Sequence, residues 1–495
     1  MGARRRLLSN TAWNVAGQLA PLVVGVLTLP LLIRLVGLER FGFITLVWVL
    51  VGYASIFDFG IGRALVRTVA AHLAHGDRPR AEASAHAGLV FLALFGVLLA
   101  LALAPASAWV VGSALNVPAE LVPEAVPAMV LLAVSLPFVM LTTGFAGLMS
   151  AHQRFKALNL IRIALGVASY AGPVLVAAFV SVRLDAVVAM VLLLRVAGTG
   201  AHAWACARQC GWRPHAAWPE RQATRELFSL GGWIAVSNVL SPMLSYLDRL
   251  LLATLVPVRS VAIYATPYDV LSKAMVLPSS IMAALFPLAS GLARGSVAAQ
   301  RLLGESLRLL FVTMFPVIFL FVVFARPGLH SWLGPEIAEL GAPVMQILAV
   351  GMLLNALAQG PATLIQAAGE PRWMALLHLA ELPVFIGLLW LLTLHHGVLG
   401  TALASSLRNG VDAAIVFGLA QRRVAMGTLH WRAALLPAGV AGLLLSAALW
   451  PTGWAQAAAV ALAGLVIFAG YAWAGLLRPD ERHRLLAVLR PGLRS

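Results

Sequence analysis

Fourteen apolar stretches follow one another along the chain, and they restrict the possible folds more than any other feature. Each is about 20 residues or longer, which as a helix is enough to cross a hydrocarbon core about 30 Å thick. Backbone polar groups cannot stay unpaired in lipid, which favours helices, and no stretch alternates like a barrel strand. Charged residues make up only 11% of the chain, which excludes a soluble fold. The sequence therefore predicts an all-α integral membrane protein with fourteen transmembrane helices. Their predicted starts lie near Thr11, Phe41, Ala83, Val122, Ala157, Asp185, Glu226, Arg259, Leu303, Ala338, Trp373, Val398, Arg432 and Ala455.

The basic residues lie mostly on alternate connections between these stretches. Of the 35 Lys and Arg residues, 24 fall on one set of connections, from Arg4 to Arg494, and five fall on the other set. Lys and Arg concentrate on the cytoplasmic side of membrane proteins, so this bias predicts that both termini are cytoplasmic, in agreement with an even number of spans. The net charge of +16 is spread over many short loops rather than one face, which argues against a nucleic-acid partner.

The two halves of the chain resemble each other at an offset of about 220 residues. Leu8 and Trp13 correspond to Phe228 and Trp233, and the segment 35–43 corresponds to 255–263. Six spans per repeat is an even number, so the repeats share one orientation. We expect two six-helix lobes around a central cavity, as in transporters, although duplication could also have built a plain helix bundle. The predicted regions are an N-lobe at 1–207, a cytoplasmic inter-lobe loop at 208–225, a C-lobe at 226–421, and two extra spans with a basic cytoplasmic tail at 422–495.

Several segments match the pattern of a known membrane-protein family. They are Asn14, Gly17, Pro21 and Pro30 in the first span, then 35–42 (LVGLERFG), 57–64 (FDFGIGRA), 246–252 (YLDRLLL) and 261–264 (VAIY). From about Ser9 to Arg422 the chain resembles the Wzx-type oligosaccharide flippases of the multidrug/oligosaccharidyl-lipid/polysaccharide (MOP) exporter superfamily.

The resemblance implies a protein that is not an enzyme and works by alternating access. Members of the family move undecaprenyl-pyrophosphate-linked oligosaccharide repeat units across the bacterial inner membrane, for O-antigen, capsule or exopolysaccharide biosynthesis. The implied partners are the lipid-linked glycan, membrane lipids, and a polysaccharide polymerase with its chain-length regulator. We expect a monomer that needs no cofactor and no metal.

Eleven charged residues lie inside the predicted spans. A charge at the bilayer centre costs roughly 3 kcal/mol, so eleven facing lipid would cost of order 30 kcal/mol, more than a typical folding stability of about 5–15 kcal/mol. They must pair, reach the interface, or face water. Arg suits a diphosphate because its guanidinium group offers forked donors and stays charged in a partly dry cavity. Four of these residues are predicted to line a basic substrate cavity: Arg63, Arg195, Arg249 and Lys273.

Other charges inside the spans are candidates for counter-charges or for ion and proton coupling, since a buried carboxyl group can load and release protons. These candidates are Asp58, Asp248, Asp269, Glu381, Arg408 and Asp412. Two pairs, Asp269–Lys273 and Arg408–Asp412, are one helical turn apart and could neutralise each other. Arg63 and Arg162 lie near a cytoplasmic end, where snorkelling to the interface is the alternative to substrate contact.

Prolines and cysteines complete the set of special residues. Pro21 and Pro242 occupy matching positions in the two halves and are the predicted hinges, although a proline kink can also be static. Cys206 and Cys210 are one helical turn apart. This spacing fits neither a zinc site nor a structural disulfide, so we expect both to serve packing.

Three other functions remain open. A multidrug exporter of the same superfamily would share the two lobes, but its cavity would be acidic because its substrates are usually cationic. A lipid II flippase would have a basic cavity too. An integral-membrane glycosyl-polymerising enzyme is less favoured, because the external connections are short and no GxSxG, HExxH or nucleotide-binding P-loop motif occurs.

Overall fold

A computed structural model describes the backbone of residues 2–54, 61–213, 218–229, 232–292, 295–423, 431–477 and 482. It describes the side chains of residues 20–52, 61–62, 64–213, 218–225, 243–244, 246–286, 288–292, 295–422, 435–477 and 482. In these ranges every regular element is a helix, and ten helices are long and apolar enough to cross a membrane. The predicted all-α membrane fold is confirmed, whereas the count of fourteen spans stays a prediction.

The chain divides into two compact units, Met1–Ala262 and Ile263–Ser495. We call them unit 1 and unit 2. The predicted lobes, which meet at 208–225, stay a prediction. The helices of unit 1 are α1 (Gly2–Ala54), α2 (Ile61–Ala74), α3 (Arg78–Trp109), α4 (Val122–Ala151), α5 (Phe155–Phe179), α6 (Leu184–Gln209), α7 (Arg221–Ser229) and α8 (Gly232–Leu255).

Helix α9 (Arg259–Ala274) starts in unit 1 and ends in unit 2. Helices α3 and α15 each continue into a short π-helical turn, at Val110–Ala114 and Ala472–Leu476. The remaining helices of unit 2 are α10 (Val276–Ser290), α11 (Val297–Leu333), α12 (Pro335–Ala367), α13 (Pro371–Arg423), α14 (Trp431–Ala448) and α15 (Trp454–Tyr471).

Local sequence signals fix where several helices begin. The Asp77 side chain caps α3 by accepting a hydrogen bond from the Arg80 backbone N–H, and Ser296 caps α11 in the same way through Ala299. Helix α12 begins with Pro335 directly after Gly334, whose φ of 91° turns the chain out of α11. Proline fits this first position because the first helical N–H has no partner inside the helix.

Two glycines interrupt the longest helices. Gly37 in α1 has φ 80° and ψ 164°, and Gly397 in α13 has φ 56° and ψ −131°. Positive φ is cheap only for glycine, because a Cβ would approach the neighbouring carbonyl oxygen. The chain therefore changes direction at both positions. They coincide with short connections predicted between spans, around Gly37–Arg40 and His395–Gly397.

Small residues let the helices of unit 1 pack closely. A Cβ on Gly166 of α5 would overlap the ring of Pro21 in α1, and one on Gly144 of α4 would meet Leu89 and Leu92 of α3. Helix α4 also packs against α2 and α6, with Met129 and Met140 fully buried. Small residues at helix interfaces are typical of membrane bundles. Helices α2, α4, α5 and α6 are held together by packing of this kind.

Candidate functional site

Unit 1 contains a cavity of about 660 Å³ with charged and hydroxyl-bearing side chains in its wall. Helices α2, α4, α5 and α6 form its walls. We call it the cationic cavity, and its lining residues are Gly62, Val66, Thr142, Thr143, Ala146, Gly147, Ser150, Arg162, Leu165, Gly166, Ser169, Arg195 and His202. Its volume falls within the range of about 300–1,000 Å³ that small-molecule sites occupy.

Two guanidinium groups give this cavity its charge. Arg162 comes from α5 and Arg195 from α6. No carboxylate lines the cavity, and neither arginine forms an ion pair with another residue in the described ranges. Two cations without a counter-charge in a partly buried space attract an anion. The cavity is therefore suited to an anionic ligand.

Hydroxyl groups on α4 and α5 add acceptors to the wall. Thr143, Ser150 and Ser169 each donate their hydroxyl hydrogen to a backbone carbonyl of their own helix, at 3.2, 2.8 and 2.7 Å. A hydroxyl oxygen that donates in this way keeps its lone pairs as acceptors. Sugar hydroxyl groups can donate to such oxygens. This arrangement suits a ligand that carries both negative charge and hydroxyl groups.

Contacts between α4 and α6 fix the position of Arg195. Thr199 is one turn from Arg195, and its Oγ1 lies 2.9 Å from both the Arg195 and Phe138 carbonyl oxygens. It also lies 2.9 Å from the Thr142 Oγ1. These polar contacts tie the two helices at the level of the cavity. Arg195 thus projects from a backbone that is held in place.

His202 is a third polar group on the same wall and is only 2% exposed. Its Nδ1 lies 2.7 Å from the Gly198 carbonyl oxygen, so Nδ1 carries the hydrogen and Nε2 is the remaining acceptor. Sequence reasoning did not select His202, because one histidine in an apolar span is most often a packing residue. His202 lines the cavity only because α5 and α6 pack against each other at this position.

The substrate-binding roles predicted from the sequence stay predictions. Arg195 lines the cationic cavity, and so does Arg162, for which snorkelling to the interface was the alternative to substrate contact. The side chain of Arg63 lies outside the described residues, although its neighbours Gly62 and Val66 line the cavity. Asp58 lies outside the described residues altogether.

Arg249 and Asp248 are buried elsewhere in unit 1. Each is 2% exposed, and neither is among the lining residues of the cationic cavity. The Arg249 guanidinium lies 5.4 Å from the centre of the Tyr246 ring, and the Arg249 backbone N–H donates to the Asp248 carboxylate at 2.8 Å. Arginine stacked on an aromatic ring is a common structural arrangement. Their predicted roles in substrate binding and coupling stay predictions.

In unit 2, Lys273 and Asp269 are exposed on α9. Lys273 stays a predicted substrate contact and Asp269 a predicted counter-charge.

Helix α13 brings four ionisable residues together across its bend at Gly397. The Arg408 Nη1 lies 4.0 Å from the Glu381 Oε2, so the partner of Arg408 is Glu381 rather than Asp412, the residue one turn away. Glu381 and Asp412 are 7% and 8% exposed. Asp412 is close enough to interact electrostatically with Glu381, and His378 with Asp412. We call these residues the α13 charge cluster.

Several polar atoms of the α13 charge cluster are buried without a hydrogen bond in the described part of the chain. They are both carboxylate oxygens of Glu381, Asp412 Oδ1, His378 Nδ1 and Arg408 Nε. Buried polar atoms of this kind are rare in structural ion pairs and common at functional sites. In the described ranges no group of three His, Cys, Asp or Glu residues is arranged to hold a metal ion.

The predicted hinges lie in unbroken helix. Helix α1 keeps helical dihedral angles through Pro21 and departs from them at Gly37. Pro242 lies within α8, and its side chain is outside the described residues. Hinge motion at either proline stays a prediction.

Comparison with known proteins places the chain in a family. A family described as polysaccharide biosynthesis proteins matches residues 7–292, which is more than half of the chain. The chain belongs to the polysaccharide biosynthesis protein family. Over 412 residues it is 29% identical to a candidate O-antigen transporter of Shigella flexneri, and the match covers 83% of this chain and 96% of that protein.

Two solved structures show that this polysaccharide biosynthesis protein has the fold of the MOP superfamily. The lipid II flippase MurJ, in an inward closed conformation, superposes with a TM-score of 0.70 at 11% identity, over 94% of this chain and 100% of MurJ. A multidrug resistance MATE transporter in an inward-facing conformation gives a TM-score of 0.66 at 15% identity, over 84% and 94%. These relatives are transporters and flippases rather than enzymes, which agrees with the sequence prediction.

Proposed function

We propose that this protein is a flippase that moves undecaprenyl-pyrophosphate-linked oligosaccharide repeat units across the bacterial inner membrane by alternating access. The observation that carries the proposal is the pair Arg162 and Arg195, two arginines without a carboxylate partner in the described residues, which share the cationic cavity. A diphosphate diester carries two negative charges, so two guanidinium groups match it. Membership of a polysaccharide biosynthesis family and likeness to a candidate O-antigen transporter support the same substrate class.

The cationic cavity favours this substrate over a cationic drug. A drug exporter needs acidic residues to attract its substrates, whereas the lining that the structure describes carries two arginines and no carboxylate. Moving a cation into that space would bring like charges together without a compensating group. An anionic lipid-linked sugar meets opposite charge and hydroxyl acceptors.

We further propose a topology of fourteen spans with both termini in the cytoplasm. Helix α13 has 53 residues, which as one straight helix would measure about 80 Å, more than twice the hydrocarbon core. The bends at Gly37 and Gly397 let α1 and α13 supply two spans each. The predicted lobes around a central cavity, a monomeric state, and an association with a polymerase and its chain-length regulator belong to the same proposal.

The α13 charge cluster is the proposed site of proton coupling. Glu381 and Asp412 are two nearby carboxyl groups, and Arg408 supplies a single positive charge beside them. One arginine neutralises one carboxylate, so a proton on the second restores a neutral cluster. Binding and release of that proton would favour different conformations of the helix. His378 is the second group there that could hold a proton.

Complementation in the native host tests the function. Deletion of the gene should make lipid-linked repeat units accumulate in the cytoplasmic leaflet, and wild-type protein should relieve the accumulation. Arg195→Ala should fail to relieve it at normal membrane abundance. Arg208→Ala is the matched control, because Arg208 is on the same helix, exposed, and outside the cavity. Unchanged surface polysaccharide together with new drug sensitivity would support an exporter instead.

A further inference from the structure

A second cavity in unit 1, of about 330 Å³, lies where α4 and α6 end and α3 begins. It is distinct from the cationic cavity. Its charged and titratable lining residues are Arg78, Glu82, His86, His152, Arg154, Cys210 and Arg213, so three arginines outnumber the one carboxylate. The proposed topology places these arginines on the cytoplasmic side. The function proposed above does not use this cavity.

Cys210 and His152 face each other in this cavity. The His152 and Cys210 side chains both line this cavity and interact electrostatically, and the His152 Nδ1 lies 3.0 Å from the Leu148 carbonyl oxygen. Because Nδ1 donates to that carbonyl, Nε2 is the nitrogen left for Cys210. A histidine oriented by a third group beside a thiol is the arrangement that activates cysteine nucleophiles.

The surroundings of Cys210 favour its thiolate. A hydrogen bond with the Cys206 side chain lowers the pKa of Cys210 most, burial opposes it, and His152 and Arg154 lower it further, to about 5. The same contact with Cys210 raises the pKa of His152. The contact therefore favours the thiolate form of Cys210 and the protonated form of His152. Reactive cysteines have such electropositive, partly exposed surroundings.

Cys206 is placed to react with Cys210 after oxidation. It is four residues earlier in α6, and the Cys210 backbone N–H donates to its carbonyl at 2.9 Å. Inside a regular helix this spacing does not fit a structural disulfide, because Cβ atoms four residues apart are about 5–6 Å apart and a disulfide needs about 3.5–4.5 Å. Cys210 is the cap that ends α6, so its backbone can move to close this gap. A disulfide formed there would be strained and easily reduced.

We propose that Cys210 is a peroxide-reactive modification site and that Cys206 is its resolving thiol. The Cys210 thiolate attacks one oxygen of hydrogen peroxide, the O–O bond breaks, and the leaving hydroxide takes the His152 proton to form water. Cys206 then attacks the sulfenic acid on Cys210, the S–O bond breaks, and the released oxygen leaves as water with the Cys206 proton. Two thiols lose two electrons to one peroxide and form one disulfide. Sensor cysteines have this combination of low pKa, access and a neighbouring thiol.

The disulfide would change the contact between α4 and α6. In the reduced protein the Cys206 Sγ lies 3.5 Å from the Phe145 carbonyl oxygen of α4, and Cys206 must give up this hydrogen bond to bond Cys210. The Trp212 ring packs edge-on against Phe145, with 5.0 Å between ring centres. Oxidation therefore loosens the contact between α4 and the C-terminal end of α6, the helix that also carries Arg195.

Thiol counting on the purified full-length protein tests the chemistry, because the chain has only two cysteines. Brief peroxide treatment should lower the titratable thiols from two per chain to none, and a dithiol reductant should restore them. Trypsin cleaves after Arg208, between the two cysteines, so the oxidised protein should yield two tryptic peptides joined by a disulfide. Cys206→Ser should instead trap a dimedone-reactive sulfenic acid at Cys210. Retention of both thiols in wild type, or disulfides only between chains, would overturn the proposal.

The pH dependence of Cys210 alkylation provides a second readout that does not depend on transport. With a pKa of about 5, Cys210 in the wild-type protein should react with iodoacetamide at a rate that stays constant within about twofold from pH 6 to 8, whereas the rate of an ordinary thiol rises about 80-fold. His152→Gln should make the rate rise with pH, because this variant lacks the imidazole that helps to lower the pKa of Cys210. His75→Gln is the matched control, because His75 makes the same bond to its own helix outside this cavity. An ordinary profile in the wild-type protein would contradict the proposal.

Discussion

Arg40 donates two hydrogen bonds to the Glu124 carboxylate, at 2.7 and 3.0 Å, and so joins α1 to the first turn of α4. The Glu124 Oε2 also accepts the Leu184 backbone N–H at 3.1 Å, which adds the start of α6 to the same contact. A carboxylate in the first turn of a helix also interacts well with the helix dipole. This ion pair therefore ties three helices at the end of unit 1 opposite the cavity of Cys210.

The Arg40–Glu124 pair should contribute measurably to stability. We expect a double-mutant cycle with Arg40→Ala and Glu124→Ala to give a coupling energy of about 1–2 kcal/mol, because the pair is bidentate and half-buried. The measurement is reversible unfolding in detergent. The exposed pair Arg183–Asp185, at 2.9 Å, is the matched control and should show no measurable coupling. Equal coupling in both pairs would refute the structural role.

The bend at Gly37 should require glycine because of the backbone conformation there, and not because a side chain would clash. No atom lies within 4 Å of a Cβ built there, so Gly37→Ala meets no steric clash, but φ 80° should cost about 1–2 kcal/mol. Thermal unfolding would measure the loss. Gly418→Ala, also in open space but within regular α13, should be neutral or stabilising by up to about 1 kcal/mol. If both variants behaved alike, the strain argument would be wrong.

Glu381→Gln should uncouple transport from the proton gradient. The change removes a charge from the α13 charge cluster and leaves Asp412 as its single carboxyl group, which Arg408 can neutralise without a bound proton. Flux of lipid-linked substrate in proteoliposomes should continue downhill but no longer respond to an imposed pH gradient. Glu370→Gln, in an exposed pair with Arg372, is the control and should keep the response. A pH response unchanged in Glu381→Gln would exclude Glu381 from coupling.

Much of the fold could be predicted from local signals. A membrane span needs about 20 apolar residues wherever it lies in the chain, so hydropathy alone identifies the helices. Gly37 and Gly397 lie in short connections between predicted spans, so the changes of direction there could be predicted from residues close in sequence. Arg195 was selected because it is a charge far from any partner on its own helix. Each of these inferences depends only on residues close in sequence.

The parts that could not be predicted depend on contacts between helices. Arg408 was expected beside Asp412, one turn away, but the bend at Gly397 brings Glu381 closer. Snorkelling to the interface was the alternative for Arg162, because it lies near the cytoplasmic end of its predicted span, yet α5 turns it into the cationic cavity. The periodicity of a helix shows which residues share a face, but it does not show which neighbouring helix that face will contact. Cys210 differs from Cys206 for the same reason, since only the end of α4 supplies His152.

Substrate affinity measures the central claim most directly. Purified protein in nanodiscs would be titrated with a fluorescent polyprenyl-diphosphate-linked sugar. Arg195→Ala should weaken binding about 10- to 100-fold, because a charge-assisted hydrogen bond contributes about 1.5–3 kcal/mol, and Arg195→Lys should give a smaller loss. Arg208→Ala should bind like wild type. Wild-type affinity in Arg195→Ala, at equal abundance and stability, would contradict the assignment of the cationic cavity as the diphosphate site.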